Sequence, residues 1–385
     1  MVTEETYAGA VDAIPSTPPL KVWVGRSHPA RLNLCHGQRN ADLKGWPLGL
    51  VTRLDRRLDC VTLIPPGRDL IHAINAVPLL TGKPYIITFE DYCPRVPENR
   101  YVGWLEKFLR RRLLSKRCIA LVAMSEFARR QFRHQHRDFD GLQQLEEKLQ
   151  VIYPALPVRR TSPKKAGDRL RLLFVGRTFV AKGGPAVVEV HRRLRKQGIP
   201  VDTTIISFLK QSLCFDPPSQ AVAVGAEQLA AEEGIRYYPG LPNDQVQQFM
   251  AEADYLLFPT LFETFGYVSL EAMAWGTPVI ASRTCALPDV VVPGKSGFLL
   301  DFPNEPKVGK WIWLYRQNDP GYTEAYRALM DSMAAEMVDR LTRHWDRRSE
   351  YEELSAGALR QIQERFNPEV ARDSIEKLYE KARRV

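Results

Sequence analysis

The chain has 385 residues, 44% apolar and 26% charged, which excludes collagen-like and low-complexity proteins and leaves room for two domains of roughly 150 to 200 residues. Six scattered cysteines, Cys35, Cys60, Cys93, Cys118, Cys214 and Cys285, form no Cys-x-x-Cys pair and have no histidine at metal spacing, so neither a zinc site nor a disulfide framework is indicated and a cytoplasmic setting is expected. The net charge of +9 is one-sided: residues 1–165 hold 27 Lys and Arg against 16 Asp and Glu, and residues 166–385 hold 27 against 29, so the first half suits an anionic partner or carries a solvated basic face.

Residues 1–19 are acidic, rich in small residues and contain three prolines, and they read as a disordered leader rather than a signal peptide. No apolar run approaches the ~18 residues a bilayer span requires, so a soluble or peripheral protein is expected. In residues 20–156 short strands are expected near Lys21–Val24, Cys60–Leu63, Asp69–Ala73, Tyr85–Phe89, Ile119–Met124 and Leu149–Pro154, with a helix over Tyr101–Arg117. Such alternation predicts an α/β domain with a parallel sheet, although Arg26–Arg57 fits no element. The helix places Tyr101, Trp104, Leu105, Phe108 and Leu113 on one face and Lys107, Arg110, Arg111, Arg112, Lys116 and Arg117 largely elsewhere. That face either packs on the sheet or lies on an anionic membrane.

Ligands of open α/β sheets bind at strand carboxyl ends, so Glu90, Asp91 and His72 are candidate substrate contacts. His72 and Ser125-Glu126 are equally readable as packing or capping residues. Asp138-Phe-Asp140, among Arg133, His134, His136 and Arg137, reads as a solvated loop rather than a metal site.

A linker is expected over residues 157–168, rich in basic residues, serine and proline. The second domain, 169–355, opens on Leu170-Arg-Leu-Leu-Phe-Val-Gly176-Arg177, continues to Lys182-Gly183-Gly184, and then enters a helix, Ala186–Gln197. Arg177 and Lys182 place two cations beside a helix N-terminus, which is chemistry for a diphosphate: a planar fork and a compact ammonium. Cations that merely cap unrelated groups are the structural alternative. Further strands are expected at Val201–Phe208, Ile235–Tyr238, Tyr255–Phe258 and Val279–Ser282, with helices around Ala221–Glu233 and Asn243–Ala253, Asn243 serving as N-cap. The apolar run Tyr255–Phe258, closed by Pro259, opens onto Thr260–Thr264, and a helix runs from near Phe265 or Gly266 to Gly276. Glu263 then stands just before a helix mouth with free amides, Gly266 lets a ligand approach the backbone, and Glu271 offers a carboxylate to a vicinal diol such as a ribose. After Asp301 the chain is helical and charged, with Trp311, Trp313, Tyr315, Tyr322 and Tyr326 expected to pack.

The run Glu263-Thr-Phe-Gly-Tyr-Val-Ser-Leu-Glu271 resembles the glutamate, seven residues, glutamate signature of retaining glycosyltransferases of the GT-B fold, in particular glycosyltransferase family 4 (glycosyl transferases group 1). Its flanks, Glu271-Ala-Met-Ala-Trp-Gly-Thr-Pro, Leu287-Pro-Asp289 and Gly294-Lys-Ser-Gly-Phe-Leu, are similar too. The resemblance implies two Rossmann-like, doubly wound parallel-sheet domains facing a central cleft, with the first on the acceptor side and residues 356–385 crossing back to it. It implies transfer of a sugar from a nucleotide-diphosphate sugar with retention, without metal or other cofactor, to a glycan, lipid-linked or small-molecule acceptor. Arg177 and Lys182 would neutralise the diphosphate and Glu263 would orient the sugar; Gly176, Thr264, Phe265, Gly266, Tyr267 and Glu271 would line the donor site, Glu271 at the ribose.

Two departures from the family pattern stand out. Glu90 occupies the place where a histidine commonly touches the donor sugar, and no glycine-rich turn follows the first strand, where only Gly25 and His36-Gly37 lie nearby. A catalytically silent GT-B partner protein, or an epimerase or phosphorylase of the same architecture, are therefore the rival readings. A nucleic-acid-binding motif is lacking, so nucleic acid is not expected as a partner.

Overall fold

A computed structural model describes residues 19–25, 41–46, 61–62, 67–79, 81–95, 103–209, 225–306, 309–314 and 316–385. The expected leader up to residue 18, His36-Gly37, Cys35, Cys60, Cys214, Tyr101 and Tyr315 lie outside these residues.

Six strands of the first part, β1 (Leu20–Gly25), β2 (Ala41–Trp46), β4 (Leu70–Ile74), β6 (Tyr85–Phe89), β7 (Cys118–Ala123) and β8 (Leu149–Val151), form one parallel sheet in the order β2-β1-β4-β6-β7-β8. Two-residue strands β3 (Val61–Thr62) and β5 (Val77–Pro78) pair separately. Every residue of β6 and β7 is buried, which is why they read as continuous apolar runs. Helices α1 (Gly103–Leu114), α2 (Glu126–Gln135) and α3 (Leu142–Glu146) connect the later strands.

The second sheet is also six-stranded and parallel: β9 (Leu170–Thr178), β10 (Val201–Phe208), β11 (Ile235–Tyr238), β12 (Tyr255–Phe258), β13 (Val279–Ser282) and β14 (Gly297–Leu300), in the order β11-β10-β9-β12-β13-β14. Its helices are α4 (Gly184–Lys196), α5 (Ala226–Ala231), α6 (Asn243–Glu252), α7 (Tyr267–Ala274), α8 (Leu287–Val290), α9 (Tyr322–Asp346) and α10 (Arg348–Glu364). The connections leave β9 on opposite sides, to β10 and β12, so the loops after β9 and β12 part and open a crevice at the carboxyl edge. Helix α6 starts at Asn243 itself, and Pro242 takes the cap position without a side-chain bond, so Asn243 is not the N-cap.

Residues 157–168 are pinned to the second domain along their length. The Arg159 amide donates to Ala274 O (2.8 Å) and the Lys164 amide to Ser355 Oγ (2.8 Å). Lys164 Nζ is buried against Met250 O, Ala253 O and Thr277 Oγ1, and burial pushes its pKa down to about 7. Helix α10 runs across residue 356 and stays on the second domain, where Ser355 Oγ donates to Gly276 O. The chain crosses back only after it: Asn367 caps α11 (Pro368–Arg383), which buries Ala371, Ile375, Leu378, Tyr379 and Ala382 against Leu20, Val22, Leu70, Ile86 and Ile119 of the first sheet. The spacing i, i+4, i+7, i+8, i+11 is the single apolar stripe of a surface helix.

Candidate active site

Lys182 is carried by the turn between β9 and α4. Gly183 there has φ +80°, and a Cβ on it would lie 2.0 Å from Pro259 O, so only glycine lets this turn close against the end of β12. Two bonds hold it there: Leu261 N donates to Ala181 O (3.0 Å), and Tyr326 Oη, from α9 behind it, donates to Val180 O (3.0 Å). Lys182 Nζ consequently reaches across to donate to Phe262 O at 2.7 Å and to the Glu263 carboxylate at 2.9 Å. Both side chains of the pair remain 19% exposed, so the ion pair faces the crevice rather than the core. Arg177 stands at an irregularity in β9: Gly176 pairs with Ser207 and Thr178 with Phe208, leaving Arg177 out of the ladder and exposed. It makes no ion pair with a described residue.

Helix α7 starts at the far side of Glu263. Gly266 takes the cap position at φ +96°, where a Cβ would press on Leu287 at 2.7 Å, and no side chain caps the helix. Its first amides therefore face the crevice with the partial positive charge of a helix N-terminus. Phe265 is fully buried, while its amide lies 3.4 Å from Glu263 Oε1. Tyr267 and Glu271 are four residues apart and share one helix face. Burial raises the Tyr267 hydroxyl well above its ordinary pKa, and the nearby carboxylates of Glu90 and Glu263 add to this. Glu271 makes no hydrogen bond or ion pair with a described residue, and desolvation raises its carboxyl to about 7. An unpartnered carboxylate held half-buried at such a place suits a ligand's hydroxyls.

From the first domain, Glu90 enters the same space. Its amide donates to Asn75 Oδ1 (3.1 Å), and its carboxyl pKa is raised by burial first, with Arg95 opposing, Glu263 adding to the rise and Thr264 in hydrogen-bonding reach. Glu90, Glu263, Thr264 and Tyr267 thus meet across the cleft.

The other two candidates of that domain are used elsewhere. Asp91 is buried in an ion pair with Lys310 of the second domain (3.2 Å), whose ammonium also reaches Tyr92 Oη (3.1 Å) and lies over the Tyr92 ring. His72 is wholly buried, with Nε2 2.7 Å from Thr88 Oγ1 and Nδ1 2.9 Å from Tyr379 Oη, so it fastens α11 to the sheet rather than touching a ligand. Ser125 is the side-chain cap of α2, accepting from the Ala128 amide. Asp138 is exposed beside Arg137, and among the described residues no group of three or more His, Cys, Asp or Glu is placed to hold a metal ion.

Two residues of the domain contact carried no assigned role in the sequence. Asp289 accepts from the Phe127 amide at 3.0 Å and so caps α2 from the opposite domain; the Leu287-Pro-Asp motif marked it, but not its partner. Lys310 had no local signal at all, because its partners lie 218 and 219 positions away.

Residues 158–312 match the family model described as Glycosyl transferases group 1. This segment is similar to a glycosyl transferases group 1 domain. It contains the residues expected at a donor site, Gly176, Arg177, Lys182, Glu263, Thr264, Phe265, Gly266, Tyr267 and Glu271. Among curated proteins the chain is 30% identical over 173 residues to a D-inositol 3-phosphate glycosyltransferase of Arthrobacter sp. (strain FB24), covering 44% of this chain and 40% of that protein. It is 38% identical over 252 residues to an uncharacterized 41.2 kDa protein in the cps region of Klebsiella pneumoniae, 62% of this chain and 64% of the other. The chain therefore spans less than two thirds of the curated relatives it matches. Among solved structures, a glycosyltransferase of Rickettsia africae ESF-5 superposes with a TM-score of 0.61 at 13% identity, over 94% of this chain and 98% of that one. Anabaena HepE, solved with UDP-glucose, superposes at 0.58 and 15% identity, over 94% and 99%. With its two parallel-sheet domains, the chain has the GT-B fold.

Proposed function

We propose that the protein is a family 4 glycosyltransferase that moves a sugar from a nucleotide-diphosphate sugar to an acceptor with retention of anomeric configuration. The observation that carries this reading is the Lys182–Glu263 pair at the uncapped mouth of α7, with the unpartnered Glu271 carboxylate one to two turns along the same helix. Cleaving a sugar–diphosphate bond builds negative charge on the leaving phosphate and positive charge at the anomeric carbon. Fixed donors already aimed at the phosphate stabilise that charge without reorganising as it forms. Lys182, Arg177 and the first amides of α7 supply them. Glu263, tied to Lys182, orients the sugar hydroxyls, and Glu271 accepts from the ribose diol.

Retention follows if the acceptor enters on the face the nucleotide leaves, with the departing phosphate taking its proton, so that no separate base is required. Because two cations and a helix mouth supply the positive charge, turnover proceeds without a metal, and EDTA leaves it unchanged. The acceptor enters from the first domain, past Glu90, in a cytoplasmic setting. HepE was solved with UDP-glucose, so uridine donors are the first to test; the curated relatives named for D-inositol 3-phosphate make a phosphorylated polyol the first acceptor.

The test is a thermal-shift screen with uridine, guanosine, adenosine and thymidine diphosphates and their sugars, followed by NMR of the product anomer. One nucleotide should raise the melting point by mass action, and its sugar should be hydrolysed or transferred with retention. No shift and no turnover with any donor would overturn the reading in favour of a silent partner protein; an inverted product would overturn retention alone.

A further inference from the structure

The outward face of α1 is not that of an ordinary surface helix. Trp104 is 72% and Phe108 47% exposed, and Lys107 and Arg111 are exposed beside them. The four positions are spaced i, i+3, i+4, i+7, so they form one stripe. The inward side is accounted for: Leu109 and Leu113 are fully buried, and Glu106, the helix's single acid, is turned in and paired with Arg110. Just past the helix end Lys116 and Arg117 are exposed as well. Solvent therefore meets two large aromatic rings and several cations on α1, and no carboxylate.

The stripe also has a definite place relative to the cleft. Helix α1 connects the parallel strands β6 and β7 and so runs antiparallel to them; Tyr85 Oη at the start of β6 donates to Arg112 O near the helix C-terminus. Trp104, in the first turn, consequently lies toward the carboxyl edge of the sheet, the edge from which Glu90 enters the cleft.

We infer that this stripe docks the protein on an anionic lipid bilayer. An indole and a phenyl ring on a convex helix need a deformable, half-apolar phase such as the headgroup boundary, where tryptophan is favoured. The cations of α1, with no exposed acid on the helix itself, select a negative surface, in keeping with the basic excess of residues 1–165. Among the described residues no helix is long and apolar enough to cross a membrane, so the contact is peripheral. Docked this way, the first-domain rim of the cleft faces the lipid, which suits an acceptor anchored there; that last step rests on the transfer reading, whereas docking does not.

Flotation of the full chain with vesicles of phosphatidylcholine, alone or mixed with phosphatidylglycerol, tests it without requiring turnover. Binding is expected on the mixed vesicles and should fall as salt rises. Lys107→Gln and Arg111→Gln should each weaken it about fivefold, and Trp104→Ser with Phe108→Ser about tenfold or more. Melting curves of the variants should match the parent, since none of these side chains is buried. Equal flotation on both vesicle types, or binding indifferent to all four substitutions, would overturn the inference. So would a dimer in sedimentation that Trp104→Ser abolishes, which would make the stripe a self-association face.

Discussion

Among the described residues the two large sheets have the same number of strands, all parallel, yet the polar residues at their carboxyl edges meet different fates. In the second domain Lys182, Glu263 and Glu271 gather around one helix mouth, the first two as a partly exposed ion pair and Glu271 without a partner among the described residues. In the first, His72 is held by Thr88 and Tyr379 and Asp91 by Lys310 of the second domain, while Glu90 is left facing the cleft. A polar residue at a strand end is thus open to a ligand only where its neighbours leave it facing the cleft. Burial acts on both edges but has different consequences. It raises Glu271 and Glu90 toward neutrality where a ligand's hydroxyls can meet them, and it lowers His72 to about 3 where two side chains already do.

The contrast breaks most visibly at Lys182. Lys182→Ala should lower kcat by about a hundred- to a thousandfold, the roughly 2.7–4 kcal/mol typical of one lost transition-state donor, while the melting point moves little. A variant keeping most of its turnover would remove the diphosphate from this position and dissolve the difference between the two edges.

Glu271 should give the next largest effect, and one of opposite signs in two assays. Glu271→Gln should weaken nucleotide binding about ten- to a hundredfold, the ~1.5–3 kcal/mol of a hydrogen bond to a charged group. In the unfolded chain this carboxyl titrates near 4.5; in the folded protein burial holds it near 7. Folding therefore takes up a proton between those values, so the group's stabilising contribution is present below about 4.5 and is lost as pH rises through about 7. The glutamine variant escapes that loss and should melt a few degrees higher than the parent at pH 8 without ligand. Equal melting curves at pH 8 would mean that the carboxylate already has a partner.

These outcomes bear on what the residues alone disclosed. The strands Val201–Phe208, Ile235–Tyr238, Tyr255–Phe258 and Val279–Ser282 were legible to the residue; for Tyr255–Phe258 the reason is an unbroken apolar run, buried throughout and closed by Pro259. The placement of Glu263 just before α7 and of Glu271 within it was legible because one loop and one helix set it, whereas the pairing of Glu263 with Lys182, 81 positions away, was not. The fate of His72 and Asp91 was not, since Tyr379 lies 307 residues from His72 and Lys310 lies 219 from Asp91, and no periodicity carries such pairings. The apolar face of α1 was misjudged for a related reason. Trp104 and Phe108 belong to the outward stripe and Leu109 to the inward one, and which of two neighbouring stripes meets the sheet depends on the crossover, not on the helix.

His72 should separate structure from function on the quiet edge. His72→Leu leaves Thr88 Oγ1 and Tyr379 Oη unpaired in the core and should cost about 1–3 kcal/mol of stability, with turnover per folded molecule unchanged. In the parent the unfolded chain takes up a proton near pH 6.5 that the folded ring refuses until about 3. The stability tied to this group is thus full above about 6.5 and lost as pH falls toward 3, and the leucine variant should show a shallower decline in melting point over that window. A selective fall in donor affinity instead would return His72 to the site.

Glu90 should give the smallest change and decides how far the first domain takes part in the chemistry. Glu90→Gln keeps the shape and the capacity to bond Thr264 but removes the titration, so kcat/KM should change only about two- to tenfold, the ~0.5–1.5 kcal/mol of an ordinary hydrogen bond. The more telling readout is the pH profile. Burial and the neighbouring Glu263 push the Glu90 carboxyl upward while Arg95 holds it back, so in the parent its ionisation falls above the usual carboxylate range, and the glutamine variant should lose that inflection from kcat/KM. If the profile and the donor KM are both unchanged, Glu90 stands outside the sugar's reach, and the cleft-facing chemistry belongs to the second domain alone.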